Sequence, residues 1–335
     1  MRADHVFKVV DSHAGGAPSR LVLSGLPPLR GRTVMEKMQN FKEQHDWIRR
    51  SLTLEPRGGN NTSAVVLTEP THPDADVAVF FMEAHGYLAM CGSDTIATTT
   101  ALLETGQLPI TGDRTVVRLE TPAGLIEATA QVRDGHVESV TFVGAPAFCA
   151  VSQGTVQVPG FGDVVVDIAY GGNYYAIAEA DQFGLELTAD RTGPAVDVAL
   201  ELLDAVNKQF TIEHPEIPEV RGVTHAQFFH RAADPQDPTR MMVIMNVGTV
   251  DRSPCGTGTT AKVATLYAQG ALDLQQPFVH QSVTGAQFTG RPVRDETVGG
   301  DPAVRVAITG SAFVIADTTI YVDRRDVLAE GFHLG

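Results

Sequence analysis

Apolar, β-branched runs bounded by turn formers recur along most of this chain, and four stretches without strand character interrupt them. Strands are predicted over residues 6–10 and 21–23, on either side of a turn-rich stretch, Asp11-Ser12-His13-Ala14-Gly15-Gly16. Further strands are predicted over 63–67, 77–81 and 116–119, and Asp134-Gly135 turns a hairpin between 126–132 and 137–142. The second half repeats the pattern over 162–168, 176–179 and 242–246, with a terminal strand over 312–322. A surface helix over 33–48 carries Val34, Met38, Phe41 and Ile48 near helical spacing, with Thr33 as N-cap and Glu36 as its capping partner. A second periodic helix, 195–210, places Val196, Leu200, Leu203, Val206 and Phe210 on one stripe, read as core. Two stretches of small and apolar residues without strand alternation, 95–104 and 260–267, are read as buried helices.

No low-complexity linker separates the halves. Pro146, Gly154, Pro159 and Gly160 cluster where a boundary is expected, giving a first domain over 1–150 and a second over 151–311. A C-terminal strand at about 312–325 is expected to cross back into the first domain. The 335 residues carry a net charge of −15 without any long basic run, which argues against a nucleic-acid partner. The first residues lack a signal-peptide core, and no apolar run approaches the roughly 20 residues of a membrane helix. A cytoplasmic protein without a membrane partner is the expectation. Three cysteines, Cys91, Cys149 and Cys255, fit neither a disulfide framework nor a zinc ribbon, so free thiols are expected.

Two of those cysteines open matched segments, Cys91-Gly92-Ser93-Asp94-Thr95 and Cys255-Gly256-Thr257-Gly258-Thr259, each reaching a Gly-x-Leu fifteen residues after the cysteine. The match reads as an internal duplication. Each sulfur would sit at a helix N-terminus, where unpaired N–H groups and the helix dipole favour thiolate and draw the thiol pKa toward neutrality. The same N–H groups can hold a carboxylate. One thiol from each half suits inversion at a carbon acid, because proton removal from one face and delivery to the other need a base and an acid. Cys149, in Ala147-Phe148-Cys149-Ala150-Val151, lacks that context and is read as a small core residue. Asp251 could meet a substrate ammonium, pair with Arg252 or cap the following helix. Gly171-Gly172-Asn173 places Tyr174 where substrate could be lined. The eleven histidines show neither HExxH nor a metal triad, so no metal is expected.

The string Asp251-Arg252-Ser253-Pro254-Cys255-Gly256-Thr257-Gly258-Thr259, with Met90-Cys91-Gly92, resembles the proline racemase family, which includes hydroxyproline 2-epimerases and trans-3-hydroxyproline dehydratases. Asp11-Ser12-His13, Glu55-Pro56-Arg57-Gly58, Gly171-Gly172-Asn173-Tyr174-Tyr175 and Phe288-Thr289-Gly290-Arg291 extend the resemblance over nearly the whole chain. It implies an α/β (α+β) fold like that of diaminopimelate epimerase, with two similar domains, each a curved sheet around a central helix, and the active site between them. It also implies no cofactor. By similarity Cys91 and Cys255 are the acid/base pair, Gly92, Ser93, Gly256 and Thr257 offer N–H groups to the carboxylate, and Asp251 meets the ring nitrogen of a small imino acid. Asp94 belongs to the same candidate pocket.

Three departures from the family pattern bear on the substrate. Ser93-Asp94 stands where a histidine usually follows Cys-Gly, Gly59-Asn60-Asn61-Thr62 replaces a usual histidine and acidic residue, and Ala14 and Ala17 stand where Thr and Glu are common. Family dehydratases characteristically carry threonine at the second cysteine, so Cys255 favours a racemase or epimerase, with 4-hydroxyproline the expected substrate. The alternatives are a trans-3-hydroxy-L-proline dehydratase and a non-catalytic imino-acid binder. Base rates favour a homodimer.

Overall fold

The computed structural model describes residues 3–333 except 233, 235 and 236. Contacts divide the chain into two units, Met1–Phe142 with Gly310–Gly335, and Val143–Thr309.

In the first unit β1 (His5–Ala14) turns through Gly15 and Gly16, both at positive φ, into β2 (Ala17–Ser24). Asp11-Ser12-His13, expected in a turn, therefore continues a strand, and only the two glycines bend the chain. Helix α1 (Val34–Thr53) starts at Thr33, whose Oγ1 accepts from the Glu36 N–H at 3.1 Å. The predicted apolar face, Val34, Met38, Phe41 and Ile48, is buried. Then come β3 (Ser63–Thr68), β4 (Val77–Glu83), the short β5 (Gly86–Leu88), α2 (Gly92–Glu104), β6 (Arg114–Thr121), β7 (Gly124–Arg133) and β8 (His136–Val143). Strand neighbours run β1–β2–β3–β4–β6–β7–β8, parallel at β2–β3 and β4–β6 and antiparallel elsewhere. Consecutive β3 residues Val65 and Val66 are both 0% exposed, because a helix covers each face: α1 packs on β3 and β4, α2 on β1, β2 and β7.

The second unit opens with β9 (Phe148–Val158), an eleven-residue strand through the segment expected to be a boundary. It continues through β10 (Gly162–Tyr170), β11 (Tyr174–Glu179), α3 (Thr192–Gln209), β12 (His225–His230), β13 (Thr239–Met245), α4 (Gly256–Ala268), β14 (Phe278–Gln281), β15 (Gln287–Val298) and β16 (Asp301–Gly310). Neighbours pair in chain order, parallel at β11–β12 and β13–β14. Finally β17 (Ala312–Val322) pairs antiparallel with β1, as β9 pairs with β10. The short β5 aside, the second unit repeats the order of strands and helices of the first, so the duplication seen in two short motifs extends through the topology.

The stripe predicted on α3 is rotated. Ala195, Val198, Ala199, Leu202, Leu203, Ala205 and Val206 face the core with Val196 and Phe210 packed at its edge, while Leu200, alone of the predicted stripe, is 39% exposed. Both central helices are threonine-rich yet buried. Thr99 and Thr100 of α2, and Thr260 and Thr265 of α4, return their hydroxyls to the carbonyl four residues earlier at 2.8–3.0 Å, which satisfies these four buried hydroxyls, whereas Thr98 Oγ1 of α2 is buried without a partner. Among the described residues no helix is long and apolar enough to cross a membrane.

Candidate active site

Each matched cysteine is the residue before a central helix, α2 or α4. Their surroundings differ. Cys91 is half-buried in extended conformation, with Sγ 3.4 Å from Ser93 Oγ and its carbonyl accepting from Thr95 N at 2.9 Å and Thr95 Oγ1 at 2.7 Å. Asp94, 2% exposed, accepts from Ser63 Oγ at 2.5 Å through Oδ1, while Oδ2 is buried without a partner. By helix geometry the first-turn N–H groups of Gly92 and Ser93 have no intrahelical acceptor.

Cys255 is buried and sits at φ 59°, a region that costs a side-chain-bearing residue about 1–3 kcal/mol. A hydrogen-bonded chain holds it there: Cys255 N–H donates to Ser253 Oγ at 3.0 Å, and Ser253 Oγ and N–H donate to Asp251 Oδ1 at 2.9 and 2.8 Å. Its sulfur accepts from Gly258 N–H at 3.4 Å and lies 3.4 Å from Tyr175 Oη, which is itself 2.5 Å from Thr257 Oγ1. Asp251 thus folds the loop through Oδ1. Arg252 turns its guanidinium to the Val250 carbonyl at 2.8 Å.

The thiol pKa values run against the expectation from helix termini. Burial, reinforced by Asp94, pushes Cys91 well above its ordinary value; burial, reinforced by Asp251, pushes Cys255 up to about 12. Burial also raises Asp94 and Asp251 themselves. Desolvation and a neighbouring carboxylate therefore outweigh the N–H groups, and both sulfurs rest as thiols.

Tyr174 is not beside either cysteine. Its hydroxyl donates to the Glu213 carbonyl at 3.1 Å, and its ring packs with Phe148 and Tyr170 in the layer under α3. Tyr175, one residue on, points to the opposite face of β11, into the layer that contains Cys255. Two adjacent tyrosines in an unbroken strand gave no sign of which face was which. Ser63 and Ser253 were also missed as supports for the two carboxylates. Cys149, expected in the core, is only partly buried at the start of β9, where its thiol donates to the Val151 carbonyl at 3.3 Å. The quoted motif residues Asp11 and Arg57 are structural. Asp11 holds Arg20 at 2.7 and 3.0 Å, Arg20 donates to Leu52 and Arg57 carbonyls, and Arg57 ties the Ser51 carbonyl to those of Leu328 and Ala329.

The proline racemase family model matches residues 9–333. The 4-hydroxyproline 2-epimerase of Streptosporangium roseum is 41% identical, and the proline racemase of Clostridioides difficile 38%, each over 100% of both chains. The crystal structure of a hydroxyproline epimerase from Agrobacterium vitis with bound trans-4-hydroxy-L-proline superposes with a TM-score of 0.88 at 34% identity, covering 100% of this chain and 97% of that one. A PhzF-family protein of Bacillus anthracis, at 15% identity and a TM-score of 0.64 over 96% of this chain and 100% of that one, shares the fold. Matched by the family model over residues 9–333 and by these relatives over its whole length, the chain belongs to the proline racemase family.

Proposed function

We propose that this protein is a cofactor-independent epimerase that inverts the α-carbon of a proline-type imino acid, with 4-hydroxyproline as substrate. The observation that carries the reading is the pair of equivalent helices α2 and α4, each preceded by a cysteine. In one direction the thiolate of one cysteine takes the α-proton, leaving a planar carbanion, and the thiol of the other delivers a proton to the opposite face. The roles exchange for the other epimer. First-turn N–H groups of Gly92, Ser93, Gly256 and Thr257 hold the substrate carboxylate, and Asp251 meets the ring ammonium. That ammonium offsets the carboxylate charge that pushes Cys255 up, so substrate binding itself eases formation of the thiolate. Asp94, buried beside Cys91, acts on substrate through the thiol it holds. The S. roseum and A. vitis relatives support 4-hydroxyproline over proline. Three free thiols suit a reducing, cytoplasmic setting.

The test is proton NMR of L-proline, trans-4-hydroxy-L-proline and trans-3-hydroxy-L-proline, each incubated with the enzyme in D₂O under reducing conditions. The α-proton signal of trans-4-hydroxy-L-proline is expected to vanish as its 2-epimer appears, and Cys91→Ser or Cys255→Ser should abolish inversion. A dehydrated product from the 3-hydroxy compound would instead assign elimination, and inversion surviving in Cys255→Ser would exclude the two-thiol mechanism.

A further inference from the structure

Gln227 lies on β12 and is 0% exposed, yet neither Oε1 nor Nε2 has a hydrogen-bond partner. Its register neighbours, Ile177 on β11 and Val243 on β13, belong to the apolar layer that also holds Tyr175, Phe229, Met241 and Cys255. A sealed, unpaired amide destabilises such a layer, and methionine would fill the same space without loss. What lies over the amide is the first turn of α4. A Cβ on Gly258 would stand 2.8 Å from Gln227 Oε1, 3.2 Å from Cys255 Sγ and 3.2 Å from Tyr175 Cε1. Amide, sulfur and phenol ring therefore crowd around one point, and only glycine at 258 leaves the space between them open.

We propose that Gln227 is a positioning residue for Cys255 that serves both of its protonation states. The inference rests on Cys255 being one of the two acid/base groups. Inversion in both directions requires this sulfur to be a thiol in one and a thiolate in the other. Gly258 N–H can only donate, and the Tyr175 and Thr257 hydroxyls, 3.4 and 3.7 Å from the sulfur, share one proton in their own 2.5 Å hydrogen bond and so leave a single hydroxyl proton for it. A primary amide carries both functions: Oε1 accepts the S–H of the thiol, and a half-turn of the amide brings Nε2 to donate to the thiolate. A carboxylate in its place would favour the thiol alone.

The experiment compares Gln227→Met and Gln227→Glu with the parent. The rate of iodoacetamide alkylation at Cys255 is followed at pH 8 by mass spectrometry in chains carrying Cys91→Ser and Cys149→Ser. The pH profile of kcat/KM for inversion and the melting temperature are measured with both other cysteines intact. Because the charge-assisted bond to the thiolate is the stronger of the two, Gln227→Met is expected to slow Cys255 alkylation about tenfold and to move the acidic limb of the profile up by about one unit, a tenfold smaller thiolate fraction. Its melting temperature should hold or rise, and Gln227→Glu should slow alkylation further. Alkylation and profile unchanged in Gln227→Met would overturn the proposal, as would a lower melting temperature with unchanged alkylation, which marks a purely structural amide. A parent that inverts no imino acid would defeat the proposed function while the alkylation rates still decide the role of Gln227.

Discussion

Replacing Gly171 by alanine should damage stability and activity together, through one helical hydrogen bond. Gly171 N–H donates to the Asn173 carbonyl at 3.0 Å, closing the turn between β10 and β11, and its Cα rests on the first turn of α4. A Cβ there would lie 2.3 Å from the Thr257 carbonyl oxygen and 2.5 Å from Ala261 N, the acceptor and donor of one i to i+4 bond of that turn. Both obstacles are backbone, so no rotamer change relieves them. Reaching an ordinary contact of ~3.5 Å needs turn and helix to part by about 1 Å. Overpacking of this kind costs about 3 kcal/mol, and for a unit of this size each kcal/mol lowers the melting temperature by about 2–4 °C, so a fall of roughly 6–12 °C is expected. The same displacement at Cys255, one residue before the helix, is worth about a hundredfold in kcat/KM for inversion. Melting followed by circular dichroism and α-proton exchange in D₂O check both numbers. Gly144→Ala is the control, since nothing lies within 4 Å of its Cβ position, and should stay within about 0.5 kcal/mol of the parent. A Gly171→Ala protein melting within ~2 °C of the parent and inverting substrate at full rate would refute the claimed contact.

Acid should unfold the protein through its buried histidines. Burial holds His280 down to about 3 and His225 to about 4, against 6.5 when free. As pH falls through 6.5 the unfolded chain takes up protons that the folded chain refuses, so stability is lost from there downward, by about 2 kcal/mol per histidine at pH 5. Urea midpoints at pH 8 and pH 5 measure this, and equal midpoints would contradict it. Asp94→Asn removes a carboxylate that favours the Cys91 thiol. The variant should alkylate at Cys91 with a pKa roughly one unit lower, the size of a nearby charge. A pKa that stays put or rises would show that Asp94 exerts no such field.

Local chemistry was legible in the amino-acid sequence wherever one residue suffices to dictate it. The Thr33 cap, the Gly15-Gly16 turn and the two Cys-Gly helix starts all follow from short-range geometry. The duplication was visible as well, because a repeated unit keeps glycine and cysteine where the backbone admits little else. Questions of face and environment belonged to the tertiary structure. Whether Tyr174 or Tyr175 meets Cys255 depends on which side of β11 carries α4, and strand alternation makes a one-residue difference into opposite layers. The stripe on α3 depended on which side of the helix the sheet meets, which buries Ala195, Ala199 and Leu202 and leaves Leu200 outside. Both thiols were expected to be acidic from their helix termini, but a pKa sums all surrounding charges and the loss of solvent. Burial beside Asp94 and Asp251 reversed the direction. Gln227 carries no motif at all; only the tertiary packing puts its unpaired amide and the Cys255 sulfur around the same point over Gly258.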